Sequence, residues 1–203
     1  MDGTSAALAS VIGSRVKQQR QVRGWTLDQL AETAGVSRRM VANVEQGEAN
    51  PSVRTLLRLS DALGIGLPAL VAPAPSAAVR VTRSGTGAVL WTGEFGGRGV
   101  LVAGTGPPDV VELWDWTLGP GDVHRSETHA HGTRELVQVQ AGRLVLEVAD
   151  RSTTLETGDA IAFDGDVPHS YANPGTDPAR FSLAVFEPRV GAAAAGQPSG
   201  AGR

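Results

Sequence analysis

Apolar positions along the chain change period once, and that change divides it in two. In the first third they recur three and four residues apart. Leu8, Val11, Ile12 and Val16 share one helical face, so a helix is expected from Leu8 to Val22, stopped at Gly24. Thr26 reads as the N-cap of a short helix from Leu27 to Ala34, with Leu30 and Ala31 turned inward. Gly35-Val36-Ser37 is a tight connection in which Gly35 takes a left-handed backbone and Ser37 caps the next helix. That helix is expected over Arg38 to Gln46, with Val41 and Val44 inward and Gly47 as its stop. Ser52 opens a fourth helix over Val53 to Leu63, where Leu56, Leu59 and Leu63 form a stripe, and a turn around Pro68 to Val71 closes a set of five.

From Val79 onward the period falls to two. The runs VRVTR, AVLWTGEF, VLVAG, DVVELWDWTL, ELVQVQ, RLVLEV, AIAF and FSLAVF are β-branched and broken by Gly, Pro and Asp. About eight to ten short strands in this length predict an antiparallel sandwich or barrel. The Pro/Ala run at residues 72–78 is a semi-rigid linker by composition. The expected organisation is a flexible start at 1–7, an all-α domain at 8–71, the linker, an all-β domain at 79–187 and a disordered Gly/Ala/Pro/Ser-rich tail at 188–203. The fold class is α + β in two domains.

Charge sharpens this division. Up to residue 72 there are eight basic and six acidic residues, against ten and fifteen in the rest, so the overall −3 hides a weakly basic first part. Such a split suits a first part that faces nucleic acid and a second that does not. The chain has no cysteine, which excludes disulfides and thiolate metal sites and fits a reducing cytoplasm. No run of 18 apolar residues and no basic-then-apolar leader is present, so no membrane partner is expected.

One stretch carries candidate metal chemistry. His129, His131 and Glu135 form H-x-H-x3-E, and a mixed imidazole and carboxylate set suits Zn, Fe, Ni, Mn or Cu. Residues two apart share a face in a strand but lie about 200° apart on a helix, so the spacing argues for an extended segment. The chain has four histidines; His124 falls outside the pattern and suits a surface or barrel-mouth position. Trp114 and Trp116 share one face of a strand and serve equally as core or as the wall of an effector pocket, which Tyr171 also reaches.

Two helices joined by a three-residue turn containing Gly form the helix-turn-helix arrangement. The wording WTLDQLAETAGVSRRMVANVEQGEANPSVRTLLRLSDALGI closely resembles the DNA-binding domain of phage-repressor-like (XRE-family) regulators over residues 8 to 71. By that resemblance Ser37 to Gln46 is the recognition helix. Arg38, Arg39 and Asn43 fall at the base-reading places, with Ser37, Met40 and Gln46 beside them, and Arg20 pairs with Glu45. Arg matches the O6 and N7 edge of guanine and Asn the N6 and N7 edge of adenine. A solvated helix face is the bland alternative for Arg38 and Arg39. Leu27 stands where many members carry a phosphate-binding Gln, which leaves that one contact unprovided.

The stretches GDVHRSETHAHGTRELVQVQAG and GDAIAFDGDVPHSYAN resemble the two motifs of the cupin superfamily of jelly-roll barrels, over about residues 108 to 187. Asp164 and Asp166 replace the usual Pro and Gly of the second motif, and Gly121 is displaced in the first. The resemblance implies that His129, His131, Glu135 and His169 hold one divalent metal. Together the two resemblances imply a homodimeric transcriptional regulator that binds a double-stranded DNA operator and senses a small-molecule effector. The alternative is a mononuclear iron oxygenase or epoxidase, since some chains with this domain order are such enzymes. Four protein ligands leave less room for O2 plus substrate, which favours the regulator.

Overall fold

The computed structural model describes residues 3–49, 51–71 and 79–190. The expected linker at 72–78 and the tail at 191–203 lie outside these. Five helices come first: α1 (Gly3–Val22), α2 (Leu27–Ala34), α3 (Arg38–Glu45), α4 (Val53–Ala62) and α5 (Leu67–Val71). α1 starts at Gly3, so residues 3–7 are helical where a flexible start was expected. The Ala- and Ser-containing run before Leu8 holds no proline to stop the helix.

Local chemistry fixes the helix ends. Thr26 and Gln29 form a reciprocal capping box, with Gln29 N donating to Thr26 Oγ1 at 3.2 Å and Thr26 N to Gln29 Oε1 at 2.8 Å. α2 ends on Gly35 at φ 62°, which costs glycine nothing. The Ser37 and Ser52 hydroxyls accept from the Met40 and Thr55 amides, which sets where α3 and α4 begin. Ile12, Val16, Leu30, Val41, Val44, Leu56 and Leu59 then bury one core, whereas Val11 is 41 % exposed despite its spacing. α1 crosses α3 at Gly13, where a Cβ would stand 2.3 Å from the Val44 carbonyl oxygen.

Ten strands follow: β1 (Ala88–Thr92), β2 (Arg98–Gly104), β3 (Val110–Leu118), β4 (Val123–Ser126), β5 (Arg134–Ala141), β6 (Arg143–Val148), β7 (Arg151–Glu156), β8 (Ala160–Asp164), β9 (His169–Ala172) and β10 (Ala179–Glu187). They build an antiparallel six-stranded sheet in the order β1-β2-β3-β10-β5-β8 and a four-stranded sheet in the order β4-β9-β6-β7. Strict alternation of buried and exposed positions along β3 and β10 turns Trp114, Trp116, Leu118, Phe181, Leu183 and Val185 inward. The expected strand at Val79–Arg83 is absent: this run is exposed coil beyond the edge strand β1. Pro188 to Val190 form a turn pinned by Arg189 N on Asp109 and Val190 N on Pro108 O, so the chain stays ordered past 187.

The two parts meet along a seam built by glycine on both sides. A Cβ on Gly66 would lie 2.8 Å from Val110, and one on Gly104 would lie 2.3 Å from Pro68, so each part receives the other's side chain where it has none. Arg54 and Arg58 of α4 bracket Glu127, in the loop after β4, at the far end of the seam.

Candidate functional site

On the helical part, α3 presents Arg38, Arg39 and Gln46 to solvent, with Met40 and Asn43 half-buried beside them. Val41 and Val44 anchor the opposite face in the core. Arg38 is paired with Asp28 at 3.2 Å, both side chains well exposed, a contact the spacing alone did not reveal. Arg39 has no such pair among the described residues. Beneath them Arg20 grips Glu45 in bidentate fashion, Nε to Oε1 at 2.6 Å and Nη2 to Oε2 at 2.8 Å, tying α1 to α3. Arg58 Nη1 donates to the Gly35 carbonyl at 3.2 Å, so α4 braces the turn that precedes α3.

In the β part, the six-stranded sheet supplies Glu135 from the start of β5 and the four-stranded sheet supplies His169 from β9. His129 comes from the loop between β4 and β5. His129 Nε2 and His169 Nε2 stand 3.1 and 3.2 Å from the same oxygen, Glu135 Oε1. His169 Nδ1–H donates to Val167 O at 2.8 Å, which orients the ring so that its Nε2 faces Glu135. Burial opposes the Glu135 charge, but the two imidazoles facing its carboxylate prevail and depress its pKa to about 2. For His129 burial lowers the pKa, yet the adjacent carboxylate of Glu135, then the charge of Glu187, lift it above the ordinary value.

These residues fit a divalent ion. Glu135 Oε1 and His169 Nε2 are buried without a hydrogen-bond partner of acceptable geometry, which is costly unless another group satisfies them. Ligand atoms about 2.1 Å from an ion are separated by about 3.0 Å at right angles and about 3.4 Å at tetrahedral angles, and the two separations from Glu135 Oε1 lie between these. Among the described residues, His129, Glu135 and His169 thus form a group that could hold a metal.

His131 does not join them. Its side chain is 92 % exposed, and its Nδ1 sits 2.9 Å from Asp166. The extended segment expected from the H-x-H spacing is a loop, bending at Ala130 and turning over His131 and Gly132, the last at φ 90°. Alternation therefore lapses and the second histidine faces out. Asp166, one of the departures from the second cupin motif, also accepts from the Gly132 amide at 3.1 Å and holds the turn in this form.

The expected pocket residues are also placed differently. Trp114 and Trp116 lie in the core at 4 % and 2 % exposure, stacked on one another and, for Trp116, on Phe181. They are packing, not an open wall. Tyr171 is buried too, but its hydroxyl donates a short hydrogen bond to Glu135 Oε2, leaving Oε1 for a metal. A groove of about 930 Å³ lies elsewhere, between Leu8, Ile12 and Pro68 of the helices and Trp91, Arg98 and Leu101 of β1 and β2. His124, paired with Tyr171 across β4 and β9, is wedged among Trp91, Trp116 and Tyr171, and burial drives its pKa down to about 4.

Sequence reasoning missed Glu112 and Glu187. Glu187 Oε1 lies 3.9 Å from His129 Nδ1, and Glu112 accepts from Trp114 Nε1 at 2.9 Å. Burial, then mutual repulsion in the case of Glu112, raises both carboxyls well above the usual range. The signal was available: Glu112 occupies the inward parity of β3, shared with Trp114 and Trp116.

Comparison with known proteins covers both parts. A helix-turn-helix family model matches residues 16–70 and a cupin domain model matches residues 114–186. The chain is 31 % identical over 182 residues to the HTH-type transcriptional regulator SutR of Escherichia coli (strain K12), covering 90 % of this chain and 98 % of that protein. The HTH-type transcriptional regulator PuuR of the same organism is 26 % identical over 79 % of this chain and 86 % of its own length. An HTH_3 family transcriptional regulator from Vibrio cholerae has a crystal structure that superposes with a TM-score of 0.69 at 26 % identity, over 91 % of this chain and 99 % of the other.

Proposed function

This chain belongs to the XRE-type helix-turn-helix transcriptional regulators with a C-terminal cupin domain, and on that premise we propose that it is a metal-dependent, effector-responsive regulator acting as a homodimer on a cytoplasmic DNA operator. Arg39 and Asn43 read base edges, Arg38 exchanges Asp28 for guanine or phosphate, and Ser37, Met40 and Gln46 border the contact. A dimer sets two α3 helices about 34 Å apart, in successive turns of the major groove.

His129, Glu135 and His169 hold one divalent ion, taken from Zn, Fe, Ni, Mn or Cu. When bound, that ion acts as a Lewis acid and offers open positions to an oxygen or nitrogen donor of the small-molecule effector. The chain's own residues do the rest. Tyr171 fixes the rotamer of Glu135, and Glu187 faces the outer nitrogen of His129.

The observation that carries the regulatory reading is the bridge at Glu127. It lies two residues before His129 and pairs with Arg54 and Arg58, while Arg58 also holds the Gly35 carbonyl in the turn before α3. A shift of the His129 loop thus alters a contact that bears on the DNA-reading helix. Effector changes DNA affinity only as far as its own affinity differs between the two arrangements. The test is a gel shift of Glu127→Ala against the parent, each with and without added metal. The expected result is operator binding by both, with metal changing affinity several-fold only in the parent. Equal metal responses would remove the bridge from the mechanism.

A second reading rests on the ligand count. With His131 turned out, two histidines and one carboxylate remain, the set used by non-haem iron oxygenases. O2 uptake by the iron-loaded protein with hydroxylated candidate substrates, and a product in stoichiometric yield, would establish it.

A further inference from the structure

We propose that the outer face of the six-stranded sheet is the surface through which two copies of this chain pair. This rests on the homodimer in the reading above and assigns it to a place. On that face Leu113, Ala184, Leu136 and Ala162 stand side by side in register across β3, β10, β5 and β8. Leu113 is 43 % and Leu136 57 % exposed, Val111 and Phe186 flank them at 41 % and 38 %, and a groove of about 570 Å³ runs along the row. Most strands of a half-buried antiparallel sheet put polar residues outward, and a contiguous apolar strip of this kind marks an association site.

The row is self-complementary. In order it reads large, small, large, small. A two-fold axis parallel to the strands, between β10 and β5, reverses it and sets every leucine of one copy over an alanine of the other. The neighbouring row is Val111, Phe186, Arg134 and Asp164. The same axis lays Arg134 over Phe186, a cation–π pairing, and Asp164 over Val111. The row on the other side is Asp115, Ser182, Gln138 and Ala160, and there Gln138 meets Ser182, two groups that hydrogen-bond. Like charges are not opposed, because Arg134 pairs with Asp164 and Arg180 with Asp115 within each copy. An isologous contact of this form closes on itself and goes no further.

Under that axis the strands that overlap are β3, β10, β5 and β8, of nine, nine, eight and five residues. At about 4.8 Å per strand and about 3.4 Å per residue they give a flat face of about 19 by 26 Å, roughly 500 Å². A specific interface buries about 800 Å² per partner, so this face supplies more than half of it and the rim around it supplies the rest. The helical part sits at the edge of this sheet, against Val110 and Gly104, and leaves the strip uncovered among the described residues.

Light scattering on the eluting full-length protein tests this, with operator binding measured on the same samples. The parent is expected at twice the chain mass of 21.0 kDa, and Leu136→Glu and Leu113→Glu at the monomer mass with unchanged circular dichroism. Val81→Glu, 61 % exposed in the coil before β1, is expected to stay dimeric. Should Leu136→Glu misfold, Ala162→Glu on the edge strand β8 repeats the test. Dimers that persist in these face variants overturn the placement while leaving the homodimer intact. A monomeric parent overturns both, and leaves the face to another protein. A dimeric parent that ignores operator DNA refutes the regulatory reading and not the interface.

Discussion

Gly13→Ala separates two effects of opposite sign. Considered as a helix substitution, alanine for glycine in the interior of α1 stabilises by about 1 kcal/mol. Considered as a contact, the new methyl stands 2.3 Å from Val44 O and 3.1 Å from Glu45 O. Both are backbone atoms of α3, so no side chain swings aside, and α1 and α3 must part by roughly 1 Å to restore van der Waals distance. Val44 O also accepts from Gly47 N at 3.0 Å, and Glu45 carries the bidentate pair with Arg20. Separation thus strains the end of α3 and its tie to α1. Overpacking of this kind costs about 1–3 kcal/mol, and a rigid neighbour puts it at the upper end, so the net loss is about 2 kcal/mol. For a domain of 60–100 residues that lowers the melting temperature by about 8–16 °C. Helical circular dichroism during heating reads the loss, and operator affinity should fall with it. A variant that melts higher than the parent would mean that helix propensity rules, and that α1 and α3 are not in the close contact described.

Arg39→Ala should abolish sequence-specific DNA binding while metal content is unchanged; unaltered operator affinity in a gel shift would remove Arg39 from base reading. His169→Ala should lower bound metal by elemental analysis, whereas His131→Ala should retain it; loss in the second variant would bring His131 into the ligand set. Burial and the charge of Glu187 raise the Glu112 pKa from 4.5 to about 8. The folded chain therefore keeps a proton in that window that the unfolded chain has released, so stability is full below the lower value and falls as pH climbs to the upper one. Glu112→Gln should flatten that decline in melting temperatures taken from about pH 5 to 8; an unchanged slope would place the titration elsewhere.

Much of the architecture could be read from periodicity and punctuation, because the residues that enforce it act locally. Thr26, Gly35, Ser37 and Ser52 each perform the capping or turn role their type suggests. Ala184 and Leu136 were legible as strand residues but not as surface, since a run such as FSLAVF is apolar on both faces. β4 and β7 were absent from the apolar runs because their positions are largely polar and exposed; only Leu155 in β7 is buried. Three of the four expected ligands, His129, Glu135 and His169, come together. His131 was misplaced because spacing reports parity only while the backbone stays extended, and the turn held by Asp166 breaks that condition. Trp114 and Trp116 were inward by parity, but parity does not distinguish a packed wall from an open one.

The seam also decides how this protein could be rebuilt. Exchanging cupin domains between such regulators by cutting at residues 72–78 would move Val110, Gly104 and Glu127 away from the Gly66, Pro68, Arg54 and Arg58 that they fit. Such a chimera would keep two sound halves and lose their fit, because a Cβ at either glycine holds the halves apart and a missing carboxylate leaves two arginines opposed. A transplant that keeps the seam carries those seven positions as one set.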